Sequence, residues 1–227
     1  TIFHNGLFCY LLSSSNPCYI LNMQNNISVI IFDYGGVIEL SDFDLINGIV
    51  EILGITKERW GDIYYTHNYL TNVEGRPWKE VALIVAEKLG ATEDQLSTVS
   101  NLIEEVNSRN KVNTELIEVI RKLRGLGFKT AVISNYTSIL RQKIADHGIY
   151  DAFDEIIISG EEGYQKPNAK LFEIAYKRLG VIGPETVFVD DSPSSLTSAG
   201  ELGYAPILYK CNKDLREALS TLLNITL

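Results

Sequence analysis

Six polar residues follow short apolar segments or stand in loops, and together their types could hold a metal ion and an anion. They are Asp33, Ser134, Asn135, Lys166, Asp190 and Asp191. Taken singly, each is an ordinary cap, turn or surface residue. Three carboxylates in one place, however, would repel one another and take up protons unless a cation lay among them. A hard divalent ion that prefers oxygen ligands, Mg²⁺ above all, meets that requirement.

A metal ion beside a lysine and small hydroxyl or amide donors suits a phosphoryl group, because the negative charge that develops during its transfer must be balanced. A carboxylate not fully committed to the metal can attack phosphorus, which divides hydrolysis into two easier steps. The residue types therefore predict metal-assisted phosphoryl chemistry with a covalent intermediate on a carboxylate.

The elements that must bring these residues together are short, nearly continuous apolar segments, typical of parallel strands buried on both faces. The candidate strands cover residues 29–33, 129–134, 155–159, 186–190 and 205–209. Amphipathic helical patterns, such as residues 114–123 and 168–179, alternate with them. We expect an α/β fold with a Rossmann-like, mostly parallel sheet in three α/β/α layers. Since such sheets bind ligands at the carboxyl ends of their strands, the six residues should converge at one edge.

The alternation is interrupted after the first strand by a long interval without a good strand candidate. Helical patterns there cover residues 45–53, 78–89 and 93–106, with turn signals between them. We therefore predict a helical cap domain over residues 39–111. It is inserted into a core domain that residues 23–38 and 112–227 form together.

The first 22 residues differ from the rest because they contain no Asp, Glu, Lys or Arg. Their apolar run is too short to span a bilayer, and no basic segment precedes it as in a secretory signal. We expect residues 1–22 to be a leader outside the fold, which would begin near the only methionine, Met23. Past Met23 the only cysteine is Cys211, which excludes a disulfide framework and fits a reducing cytoplasm.

The charge balance narrows the class of partner. The formal net charge is −9, from 29 acidic and 20 basic residues, and it provides no basic surface for nucleic acid or for an anionic membrane. We expect a small phosphorylated metabolite as the partner, no nucleic acid, no membrane, and a monomer or homodimer.

The sequence from residue 27 to residue 209 resembles the haloacid dehalogenase-like superfamily, whose four motifs occur here in order. Asp33 matches the nucleophile of the first motif, Ser134 the hydroxyl of the second and Lys166 the lysine of the third. Asp190 and Asp191 match the acidic pair of the fourth motif. Each piece alone is weak, whereas the combination is highly specific.

The resemblance implies a role for each matched residue and for the cap. Asp33 would form an aspartyl-phosphate. It would share Mg²⁺ with the main-chain carbonyl of Gly35 and with the acidic pair Asp190 and Asp191. The helical cap would be a lid that closes over the substrate and excludes water.

Phosphate and substrate contacts are expected from three loops. By the same resemblance, Ser134 and the Asn135 amide would hold phosphate oxygens, and Lys166 would neutralise the phosphate and the nucleophile. Specificity should come from the cap and from the turn after the nucleophile, where Tyr34 and Gly36 are candidate contacts. Further candidates for the cleft are His67, Tyr69, Arg76 and Trp78, although core packing is the stronger interpretation of Trp78.

One position departs from the family pattern. Most phosphatases of the superfamily carry a second aspartate two places after the nucleophile, which acts as acid and then base, and here that place is Gly35. Proton transfer of this kind contributes about 10²–10⁴-fold to a rate. The chain could be a dehalogenase relative, a silent phosphate binder, or a phosphatase whose leaving group needs little protonation or which uses another acid such as Glu39.

We favour the last account, a Mg²⁺-dependent phosphatase of a small phosphomonoester such as a sugar phosphate. Its motifs look most like the branch that contains glucose-1-phosphate phosphatases. A catalytically weak or silent protein that binds a phosphometabolite or a partner protein, a 2-haloacid dehalogenase and a mutase remain as alternatives. The dehalogenases lack the paired metal aspartates, whereas Asp190 and Asp191 are present here.

Overall fold

The computed structural model of this chain describes residues 27–227, so the predicted leader and the predicted start near Met23 lie outside the described residues. The strands are β1 (Val29–Phe32), β2 (Glu39–Leu40), β3 (Lys111–Val112), β4 (Lys129–Ser134), β5 (Glu155–Ile158), β6 (Thr186–Asp190) and β7 (Ala205–Leu208). Five of them form one parallel sheet in the order β5-β4-β1-β6-β7. All five predicted core strands are present, three of them one residue shorter than predicted.

The register of the central strand sets the height of the polar residues. Phe32 pairs with Val132 of β4 on one side and with Val189 of β6 on the other. Asp33 follows directly, and its main-chain N–H donates to the carbonyl of Val189 at 2.8 Å. The carboxyl ends of β1, β4 and β6 therefore lie level at one edge of the sheet.

Helices cover both faces of this sheet and give the predicted three layers. On one face lie α6 (Thr114–Gly125), α7 (Ile139–Asp146) and α11 (Asn212–Leu223), and on the other α9 (Ala169–Leu179), with α8 (Ser159–Glu162) and α10 (Ala199–Leu202) as short connecting helices. Ile30 and Phe32 point to the first face, while Val29 and Ile31 point to the second. Within residues 27–227, no helix is long and apolar enough to cross a membrane.

A helical insert separates β2 from β3. It consists of α1 (Leu45–Leu53), α2 (Lys57–His67), α3 (Tyr69–Asn72), α4 (Trp78–Lys88) and α5 (Glu93–Arg109). These helices bury a cluster of their own, in which Ile49, Trp60, Val85 and Ile103 are at most 2% exposed. The insert therefore has a hydrophobic core distinct from the two clusters that cover the sheet.

The insert joins the sheet through β2 and β3, which pair antiparallel with each other. We call this pair of strands the hinge. Asn113, directly after β3, is 5% exposed and connects the hinge to the core. Its side-chain amide donates to the carbonyl of Val37 at 3.0 Å and to the hydroxyl of Tyr209 at 2.9 Å. It also exchanges hydrogen bonds with the amide of Asn212. One buried amide thus connects the hinge with the end of the sheet.

Replacing this amide should destabilise the fold. We expect Asn113→Ala to lower the free energy of unfolding by about 2–3 kcal/mol, because buried partners are left without a hydrogen bond. Urea unfolding checks this, with the exposed Asn107→Ala on α5 as the matched control. Equal effects of the two substitutions would contradict the proposed anchor.

Candidate active site

Three carboxylates meet at the edge of the sheet. Asp33 follows β1, Asp190 ends β6, and Asp191 comes next. One oxygen from each lies within 4.8 Å of the others. Asp190 is fully buried and Asp33 is 8% exposed, whereas Asp191 reaches solvent. The sheet register therefore concentrates negative charge at a place where two of the three carboxylates are shielded from water.

A single lysine balances part of this charge. The Lys166 ammonium lies 2.8 Å from Asp33 Oδ1 and 2.6 Å from Asp190 Oδ2, and the residue is 6% exposed. Burial acts to lower the pKa of Lys166, but the charges of Asp33 and Asp190 and the hydrogen bonds to them outweigh it and raise that pKa. The lysine is therefore held as a cation between the two carboxylates.

Asn135 holds the lysine in place through its backbone. The side-chain oxygen of Asn135 accepts from the main-chain N–H of Lys166 at 2.7 Å, and its side-chain nitrogen donates to the Lys166 carbonyl at 3.3 Å. The expectation that the Asn135 amide holds phosphate stays a prediction, and the side-chain amide already binds the Lys166 backbone through both its oxygen and its nitrogen. A phosphate contact is left to the main-chain N–H of Asn135. Ser134, the last residue of β4, is 3% exposed at the same edge.

The acidic cluster fits a divalent metal ion. Burial first, and then the charges of Asp33 and Asp190, raise the pKa of Asp191 to about 6. One ammonium faces three carboxylates, and hard oxygen donors of this kind are the ligands Mg²⁺ prefers. Gly36 adopts a φ of +76°, and a Cβ there would collide with the Asp191 carboxylate. The chain thus leaves the surroundings of Asp191 clear of side chains on that side.

The prediction that the Tyr34 side chain contacts substrate was wrong. Tyr34 is fully buried, its ring packs edge-on against Tyr136, and its hydroxyl donates to Glu39 Oε1 at 3.3 Å. Burial, together with the charge of Glu39, raises the pKa of Tyr34 above its ordinary value. The side chain points into the core because the apolar residues around it enclose the ring, so only the backbone of Tyr34 is left for phosphate.

The suggestion that Glu39 replaces the missing acid stays a prediction, and the structure pairs this side chain with other groups. Glu39 is 7% exposed, and its carboxylate lies 2.7 Å from the Lys143 ammonium. Both carboxylate oxygens of Glu39 already accept hydrogen bonds, Oε1 from the Tyr34 hydroxyl and Oε2 from the Lys143 ammonium. At Gly35 itself, a Cβ would meet no atom of the described residues within 4 Å, and φ lies outside the left-handed region. Neither space nor backbone conformation therefore requires glycine at that position.

The candidates on the insert take different places. Trp78 packs against the core of the insert, and its Nε1 donates to the hydroxyl of Tyr64 at 3.1 Å, as its packing interpretation predicts. His67 turns back onto its own helix, with Nδ1 2.9 Å from the carbonyl of Ile63. Arg76 and Tyr69 are exposed.

Sequence reasoning missed the contact between the insert and the loop of residues 163–168, called the lysine loop because it carries Lys166. Asn72 is 7% exposed at the end of α3, and its amide donates to Gln165 Oε1 at 2.9 Å. Gln165 directly precedes Lys166, so this bond places the insert against the edge of the sheet that carries the three carboxylates. A Cβ at Gly160 would lie 3.6 Å from the Cα of Gly75. No local pattern marks Asn72, because its partner is 93 positions away.

A haloacid dehalogenase-like hydrolase family model matches residues 27–203. Because that match covers most of the chain, the chain belongs to the haloacid dehalogenase-like hydrolases. The parallel sheet and the convergence of all four motif positions agree with this membership.

Individual relatives match shorter stretches. The chain is 37% identical over 78 residues to a glyceraldehyde 3-phosphate phosphatase of Methanopyrus kandleri, covering 34% of each chain. It is 35% identical over 98 residues to the enzyme of the same name from Methanothermobacter thermautotrophicus, covering 42% of each. The matches thus span well under half of these curated relatives.

A solved structure shows the same fold over most of the chain. It is a haloacid dehalogenase family enzyme of Bacteroides thetaiotaomicron, in complex with magnesium and inorganic phosphate. The TM-score is 0.60 at 21% identity, and the match covers 85% of this chain and 98% of that one. At this identity the likeness concerns the fold alone.

Removing one carboxylate should stabilise the metal-free protein. The folded-state pKa of Asp191, about 6, lies above its ordinary value of 3.8. The stability this group contributes is therefore present below about pH 4 and lost as the pH rises through about 6. We expect Asp191→Asn to raise the melting temperature without metal at about pH 8, and to raise it less at about pH 5.

Mg²⁺ should reverse the order of the two melting temperatures, so that the wild-type protein becomes more stable than Asp191→Asn. The ion should raise the melting temperature of the wild-type protein and leave Asp191→Asn almost unchanged, because binding to the folded state alone stabilises it. The exposed Asp62→Asn on α2 serves as the control. A wild-type melting temperature that does not respond to Mg²⁺ would contradict a metal site at this cluster.

Proposed function

We propose that this protein is a Mg²⁺-dependent phosphatase that hydrolyses a small phosphomonoester through an aspartyl-phosphate on Asp33. The observation that carries the proposal is the Lys166 ammonium, which lies 2.8 Å from Asp33 and 2.6 Å from Asp190, beside Asp191. A nucleophilic carboxylate, a fixed cation and metal-binding oxygens are then present in one small space. Phosphoryl transfer requires this combination.

In the first step, Asp33 attacks phosphorus, and the bond between phosphorus and the leaving-group oxygen breaks. Lys166 balances the charge on the carboxylate and on the phosphoryl oxygens, with the Ser134 hydroxyl and the main-chain N–H of Asn135 as further donors. In the second step, water attacks phosphorus and the bond between phosphorus and the Asp33 oxygen breaks. The Asp33 carboxylate is restored, and the proton from the water leaves with the inorganic phosphate or passes to solvent. When bound by Asp33, Asp190 and Asp191, Mg²⁺ supplies positive charge at the phosphoryl oxygens.

The insert is proposed to act as the lid over this site. Its contact through Asn72 and Gln165 places α3 beside the lysine loop, where a leaving group would extend from the phosphate. Closure of such a lid excludes water from the charged residues and strengthens their interactions. The bounds proposed for the cap domain are residues 39–111, with residues 23–38 and 112–227 as the core.

The substrate is proposed to be a small phosphorylated carbohydrate or a similar metabolite. The names of the two archaeal relatives support this class. Because the acid position is Gly35, we propose that the preferred substrates have leaving groups that need little protonation, as in anomeric sugar phosphates and acyl phosphates. The glucose-1-phosphate phosphatase branch stays a prediction. We propose a cytoplasmic location, because the exposed thiol of Cys211 stays reduced there. The protein is proposed to be a monomer or homodimer.

The nucleophile and the metal should both be required. We expect Asp33→Asn, or removal of Mg²⁺ with a chelator, to reduce hydrolysis of an aryl phosphate by about 10³-fold or more, because the first removes the nucleophile and the second removes positive charge from the phosphoryl oxygens. Release of phosphate measures the rate, and Asp62→Asn is again the control. Activity that survives both changes would refute the mechanism. Metal-independent release of halide from a 2-haloacid would instead indicate the dehalogenase alternative.

The open space beside Gly35 permits a test of the leaving-group argument. We expect Gly35→Asp to raise the rate on alkyl phosphates by about 10²-fold or more, because a positioned acid contributes that much. The rate on aryl phosphates, whose leaving groups need no proton, should change much less. Gly35→Asn, which fills the same space without an acid, is the matched control. Equal rates for the two variants on alkyl phosphates would contradict this explanation of substrate preference.

A further inference from the structure

Glu39 is a buried carboxylate with four polar neighbours and no part in the proposed chemistry. Its Oε2 accepts from the Lys143 ammonium at 2.7 Å and from the Asn110 amide at 3.4 Å. Its Oε1 accepts from the Tyr34 hydroxyl at 3.3 Å, and His147 Nε2 lies 3.6 Å away. These neighbours come from three separate parts of the chain, because Lys143 lies on α7 and His147 directly follows that helix, and a single side chain joins all of them.

The backbone of Glu39 closes the loop of residues 33–38, called the nucleophile loop because it begins with Asp33. This loop carries the main-chain carbonyl of Gly35, which is expected to bind Mg²⁺. Its N–H donates to the carbonyl of Tyr34 at 2.8 Å, and its carbonyl accepts from the N–H of Gly36 at 2.8 Å. Glu39 is also the first residue of β2, one of the two hinge strands of the insert. The same residue therefore ends the nucleophile loop and begins the hinge.

Two side-chain neighbours of Glu39, Lys143 and His147, lie on the side of the site where phosphate is proposed to bind. Lys143 and His147 lie on and just after α7, which begins five residues after Ser134. The ring of Tyr136, in the intervening loop, packs against Tyr34, and the Lys143 ammonium lies 6.0 Å from its centre. The Glu39–Lys143 pair thus spans from the hinge to the loop that follows Ser134.

The energetics argue for a positional role of this pair. Burying an ion pair costs desolvation that its attraction only partly offsets, so apolar residues would serve stability as well or better. An ion pair instead fixes direction and distance, since both partners lose stability outside one geometry. The Glu39 side chain is 7% exposed and that of Lys143 is 28% exposed, so the constraint acts mostly out of contact with water.

We propose that Glu39 is a positioning residue, whose bond to Lys143 holds the nucleophile loop and the hinge of the insert at a fixed distance from the loop after Ser134. The catalytic part of this inference rests on the proposed phosphatase function. Small displacements of reacting groups lower rates strongly, so the pair should affect turnover more than substrate binding.

The test compares Glu39→Gln with Glu161→Gln. Glu161 lies on α8 and pairs with Arg141 of α7, and none of its side-chain hydrogen bonds or ion pairs within residues 27–227 involves β2 or β3. Glu39→Gln should lower kcat on an aryl phosphate by about 10-fold or more, with KM within about 3-fold. Calorimetry should show weaker Mg²⁺ binding, and amide exchange at Gly36, Glu39 and Asn113 should be faster. Glu161→Gln should change none of these quantities.

Two further variants separate positioning from general loss of stability. Lys143→Met should reproduce the effects of Glu39→Gln, and the double variant should be no worse than either alone, because one interaction is removed once. Lys143→Arg, which keeps the cation, should restore most of kcat. Should Glu39→Gln fail to fold, Lys143→Met carries the test alone.

Unchanged amide exchange and Mg²⁺ binding in Lys143→Met would overturn the inference, as would equal effects of the Glu161→Gln control. Additive effects in the double variant would do so too. If the wild-type protein hydrolyses no phosphate ester, the proposed function fails. Amide exchange and calorimetry then still decide whether Glu39 holds the loop and the hinge.

Discussion

The contact of one ammonium with two buried carboxylates is the interaction on which the rest of the structure depends. Lys166 lies between Asp33 and Asp190, which neighbouring strands bring to the same height. Such a charge cluster is stable only where geometry is fixed, because an unpaired charge left in a dry site is costly. The polar contacts around it fit that need, since Asn135 binds the backbone of Lys166 on both sides.

The lysine does not neutralise the cluster, and this shapes both its surroundings and its chemistry. Asp191 adds a third carboxylate, and burial and the neighbouring carboxylates raise its pKa to about 6. Gly36 leaves clear space beside that carboxylate. A site with excess negative charge and hard oxygen donors is suited to a divalent cation, and with the cation to a phosphoryl group. The net negative charge of the chain, from which no nucleic-acid partner is expected, comes in part from the carboxylates of this site.

The sequence was sufficient for features that depend on local pattern. Buried strands such as 129–134 are continuous in apolar character, and the parallel arrangement brings their ends, with Asp33 and Asp190, to one edge. Contacts between distant segments could not be predicted in this way. Tyr34 is polar and next to the nucleophile, yet its ring lies in the core. Glu39 meets Lys143 across 104 positions and Asn72 meets Gln165 across 93, so only the folded chain shows that these residues are paired.

The central claim is that Asp33 carries the phosphoryl group during turnover. Its most direct test is acid quenching of the protein during hydrolysis of an aryl phosphate with Mg²⁺, followed by reductive trapping of acyl phosphates and mass spectrometry of the peptides. The account predicts a trapped modification at Asp33 that requires Mg²⁺ and substrate and is absent from Asp33→Asn. Steady release of phosphate with no modification at Asp33, or with a modification at another residue, would contradict it.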